Sequence, residues 1–112
     1  LETRQLPREA TLSLLERHPD VVGIYVAGGG MEGAIAALRE VRAPGEVALV
    51  VNEPTRDSQM AMVDGYVSLI NETPLAQLSH ELVGLMFEAT THKETVAGQM
   101  FIRSILHLPE FD

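Results

Sequence analysis

The chain has 112 residues, which is one domain at most and small for an α/β enzyme. Its formal net charge of −8 argues against a nucleic-acid face within these residues, because phosphate binding needs clustered Lys and Arg. The absence of cysteine excludes disulfides, thiolate catalysis and zinc–thiolate sites, and 46% hydrophobic residues exclude wholesale disorder.

In chain order, residues 1–6 read as a polar leading linker, and the start at Leu1 rather than Met carries the expectation of a longer parent polypeptide. Pro7 suits the first turn of a helix with Ala10, Leu14 and Leu15 on its apolar face, ended by His18-Pro19-Asp20. The β-branched run Val21 to Val26 predicts a buried strand. Gly28, Gly29 and Gly30 turn it into a helix whose stripe is Met31, Ala34, Ile35, Leu38 and Val41. Val47 to Val51, a second continuous apolar run, predicts a strand covered on both faces.

Thr55 is placed to cap a short helix carrying Met60, Ala61 and Val63, closed by Asp64-Gly65. Tyr66 to Ile70 reads as a third strand, and from Pro74 the spacing of Leu75, Leu78, Leu82, Leu85, Met86 and Ala89 predicts the longest helix. Residues 90–99 read as a loop, Met100 to Leu106 as a last strand and Leu108 to Phe111 as a tail. The alternation predicts an α/β fold with a mostly parallel sheet flanked by helices. No run reaches the roughly 20 apolar residues of a membrane span.

Ligands in such sheets sit at the carboxyl ends of the strands, which directs attention to Gly28, Gly29 and Gly30. The stretch Gly28 to Gly33 matches G-x-G-x-x-G, and Glu53 lies where a dinucleotide unit places its ribose acceptor. Against that reading stand the helix before the strand and the negative charge of Glu32. The polar pairs Asn52-Glu53 and Asn71-Glu72 also fall at predicted strand ends. Amides and carboxylates converging there suit a sugar or polyol, although singly such residues also just end strands. The four histidines have no metal-binding spacing, so no metal or other cofactor is expected, and no catalytic set is visible.

Several stretches carry a resemblance across nearly the whole chain. They are Leu14 to Tyr25 (Leu-Leu-Glu-Arg-His-Pro-Asp-Val-Val-Gly-Ile-Tyr), Gly33 to Leu38, Val47 to Glu53, Met62 to Gly65 and Phe101 to Pro109. In their order they resemble the effector-binding region of LacI-family transcription regulators, which have the type I periplasmic-binding-protein fold. The resemblance implies that residues 1–112 are part of the carboxyl-terminal half of a two-lobed domain, with 66–90 a strand and helix crossing to the missing lobe. It implies a cytoplasmic, homodimeric regulator that binds a small effector, a sugar or related polyol or acid, and contacts DNA only through a missing amino-terminal domain. A family Asn-Asp pair that grips sugar hydroxyls falls at Gly28 and Gly29, so this loop departs from the pattern. Asn52, Glu53 and Glu72 are carried over as ligand-binding candidates. An importer's solute-binding protein shares the fold and is the alternative, followed by the dinucleotide-binding oxidoreductase fragment.

Overall fold

A computed structural model describes residues 5–92 and 98–110. Eight elements alternate: α1 (Gln5–Arg17), β1 (Gly23–Tyr25), α2 (Met31–Val41), β2 (Ala48–Val51), α3 (Arg56–Val63), β3 (Leu69–Glu72), α4 (Leu75–His92) and β4 (Ile105–His107). The sheet has four strands in chain order, with β1–β2 and β2–β3 both parallel. The chain divides into two compact units, the second being Thr73–Ile105 and the first everything before and after it.

In the first unit two successive crossovers in one direction place α2 and α3 on the same side of the sheet, because such connections are right-handed. The side chains agree: Leu15 of α1, Met31, Ala34, Ile35 and Leu38 of α2, and Ala61 of α3 form one cluster with Leu49, Val51 and Ile70 of the strands. The predicted stripe of α2 is therefore its buried face, except that Val41 is exposed at the helix end. Burying side chains of this size contributes about 1.5–3 kcal/mol each before the entropy of ordering is counted.

The strands differ from expectation in ways that follow from this one-sided layering. β2 alternates, with Leu49 and Val51 buried and Ala48 exposed, so it is covered on one face and not on both. β1 ends the strand order and is neither long nor buried; Val22 stays 77% exposed. β3 begins later than predicted. The N–H groups of Tyr66 and Val67 both donate to the Ala61 carbonyl, closing a turn, and pairing with β2 resumes where Ser68 N donates to Leu49 O at 2.8 Å. The shift brings Asn71 and Glu72 inside the strand end or at it.

In α3 the inward face is Ser58 and Ala61, while Met60 and Val63 point outward. The Thr55 cap is present: its Oγ1 accepts from Ser58 N at 3.1 Å, and Ser58 Oγ accepts from Thr55 N at 2.8 Å.

The second unit holds α4, which continues through Thr90 and Thr91 to His92 instead of stopping where the loop was predicted. Thr90 Oγ1 donates to the carbonyls of Met86 and Phe87, a back-bond that lets a polar residue stay helical. Met100, Phe101 and Ile102 lie outside β4; with Pro74 and Leu78 they line a hollow of about 210 Å³ in this unit. The predicted last strand is thereby cut to three residues. The rest of the predicted 90–99 loop up to residue 97, and Phe111 of the tail, lie outside the described residues.

Candidate functional site

Polar side chains gather at the carboxyl ends of the strands because the sheet register brings those ends level. Val50 pairs with Leu69 and Val51 with Ile70, so Asn52 and Asn71 are the next residues out on β2 and β3. Val26 N donates to Val50 O at 3.0 Å, which carries β1 to the same edge.

Asn52 stands at the centre. Its Nδ2 donates to the Ala27 carbonyl at 2.9 Å, fixing which end of the amide is nitrogen. Its Oδ1 then accepts from the Tyr25 hydroxyl at 3.1 Å, and the Asn71 Nδ2 lies 3.4 Å away. The other oxygen of this chain, Asn71 Oδ1, is buried and has no hydrogen-bond partner among the described residues. An orphaned buried acceptor costs about 1–3 kcal/mol, so this atom suits a donor brought in from outside. Farther along the edge, Glu72 Oε1 lies 2.8 Å from His107 Nε2, linking β3 to β4.

The glycine loop starts where Asn52 holds Ala27. Gly30 caps α2 with φ +102°, and a Cβ there would meet Pro7 Cγ at 2.9 Å. Its glycine is required by the left-handed backbone and by the packing of α1. Gly28 and Gly29 have no such demand: neither has a positive φ, and a Cβ on either would enter open space. These two positions leave room above the strand ends. The loop opens α2, whose first turn carries Glu32, a favourable charge for that helix end.

Of the residues predicted for the site, the structure places Gly28, Gly29, Gly30, Asn52, Glu53 and Glu72 all at the carboxyl edge. It gives them different duties. Asn52 is occupied with Tyr25, Ala27 and Asn71, and Gly30 with α1. The Glu53 carbonyl accepts from Ser58 Oγ at 2.7 Å, while its carboxylate end is exposed. Sequence reasoning missed Tyr25 and His107, the latter one of four histidines without metal-binding spacing. The available signal was position alone, since both close a strand. A broad groove of about 1000 Å³ also runs past His107, lined by Met62, Val67, Ile70 and Leu108, but it shares only that residue with the polar edge.

No family model and no curated protein matches the sequence. Solved structures do match. A periplasmic ribose ABC transporter from Conexibacter woesei superposes with a TM-score of 0.81 at 23% identity, over 96% of this chain and 37% of that one. GanP, a glucose-galactose binding protein from Geobacillus stearothermophilus, gives 0.81 at 14% identity over 96% and 38%. A galactofuranose binding protein gives 0.75 at 20% identity over 96% and 38%. The fold is periplasmic-binding-protein-like. The chain spans little more than a third of the length of these structures.

Proposed function

We propose that this chain is the ligand-sensing carboxyl-terminal part of a LacI-family regulator, and that its strand-end edge contributes to binding a neutral sugar without turnover. The observation that carries the sugar reading is the Tyr25–Asn52–Asn71 phenol–amide row with one buried acceptor, Asn71 Oδ1, left over, and the Glu72 carboxylate at the same edge. Sugar hydroxyls both donate and accept, so they suit alternating amides and carboxylates better than one-signed ligands do. Glu32, Glu53 and Glu72 at this edge disfavour a ligand with a carboxylate or phosphate of its own. The solved structures that share the fold are described as sugar-binding proteins, which supports the same class.

The dinucleotide reading is not retained, because Gly30 serves the packing of Pro7. The regulator setting rests on the sequence resemblance. The importer setting is the second reading, favoured by the fold neighbour described as a periplasmic ribose ABC transporter. Calorimetry of the intact protein with D-ribose, D-glucose and D-galactose tests binding, and chromatography of the recovered sugar tests turnover. Release of bound genomic DNA fragments on adding the sugar identifies a regulator; sugar binding with no DNA affinity identifies the importer component. A chemically altered sugar would overturn both.

A further inference from the structure

We propose that His107 is a positioning residue for Glu72, so that β4 sets the affinity of the strand-end site for a sugar hydroxyl. This rests on the sugar-binding reading above. A glutamate at a strand end has several rotatable torsions and two equivalent oxygens, and left alone it presents its carboxylate in many directions. Here His107 Nε2 sits 2.8 Å from Oε1, which fixes one oxygen and leaves Oε2 to accept from a ligand. The two side chains remain 34% and 38% exposed, and pairs this exposed add little to stability. What the contact supplies is direction: a side chain already ordered loses less freedom when the ligand arrives.

Glu72 is the last residue before the chain leaves the first unit, and His107 comes just after it returns. The pair therefore joins residues 35 apart in sequence at the point of departure and return. Asn71 precedes Glu72 on β3, so the Glu72–His107 pair adjoins the Tyr25–Asn52–Asn71 row at the same carboxyl edge.

The test is calorimetry on the intact protein with D-ribose, D-glucose and D-galactose as probes, using His107→Ala, His107→Gln, Glu72→Ala and the pair Glu72→Ala/His107→Ala. His107→Ala is expected to weaken binding about tenfold, with a melting temperature within about 2 °C of the parent. His107→Gln, which keeps an N–H donor, restores most of the affinity. In the Glu72→Ala background, which leaves no acceptor for His107, the His107→Ala change has no further effect. Parent-like affinity in His107→Ala overturns the positioning role while leaving the sugar reading intact. An equal loss in His107→Gln, or one that persists in the Glu72→Ala background, overturns it as well. A parent protein that binds none of the three sugars overturns the sugar reading, and the positioning role with it.

Discussion

A methyl group added at Gly30 would meet Pro7 Cγ at 2.9 Å on a backbone that already has φ +102°, whereas one added at Gly28 or Gly29 would meet nothing. Gly30→Ala is therefore expected to lower stability by about 2 kcal/mol in urea unfolding. Gly28→Ala and Gly29→Ala should leave it unchanged or raise it by about 0.5 kcal/mol, since the unfolded chain loses freedom. The three glycines were visible in the sequence, but their different roles were not. That difference depends on where α1 packs, a contact between residues distant in the chain. Asn52 shows the same limit. Its place at a strand end was legible, while its bond to the Ala27 carbonyl, which makes it a brace for the loop, required the register of two strands.

The capping of α3 was half legible. Thr55 before a short helix announces itself, but nothing in the sequence marks Ser58, which is fully buried. Its hydroxyl donates to the Glu53 carbonyl and accepts from Thr55 N–H, so polarity inside the core is satisfied locally. Ser58→Ala is expected to cost about 1–2 kcal/mol and to speed amide exchange selectively in the first turn of α3. Arg8 links α1 to α2 through the Glu40 carboxylate, and that hydrogen bond holds Glu40 below the ordinary glutamate range. A depressed folded value means the contribution is present above the unfolded value and lost as pH falls through the folded one. Arg8→Ala should raise the Glu40 carboxyl midpoint followed by carbon NMR, with only a slight effect on stability because the pair is exposed. Helix positions were read well because their periodicity is long. The strands run only three or four residues: β1 and β2 are shorter than their apolar runs, and β3 and β4 start and end later than theirs.

At the scale of the molecule, the alternation of elements and the parallel sheet were legible, and the one-sided layering of the first unit was not. A continuous apolar run looks the same whether one or both faces are covered. In the second unit Leu75, Leu82, Val83, Met86 and Phe87 of α4 are exposed, Phe87 to 65%. A helix face of that kind seeks partners. These 112 residues alone are expected to self-associate with concentration in light scattering, and Leu82→Glu with Phe87→Glu should return them to monomer. A monomer at high concentration in the parent would count against it.

The order of the strands has one more consequence, for how the chain acquires its shape. Twenty-five residues separate Ile24 from its partner Leu49, and nineteen separate Val50 from Leu69. Each pairing closes a short loop, and closure entropy grows only slowly with loop length. Both pairings are nonetheless parallel and non-local, a topology that folds more slowly than hairpins of adjacent strands. β1 and β2 pair only once α2 lies between them, and β2 and β3 only once α3 does, because parallel strands need such a crossover. The link between Glu72 and His107 closes the longest of these spans, 35 residues.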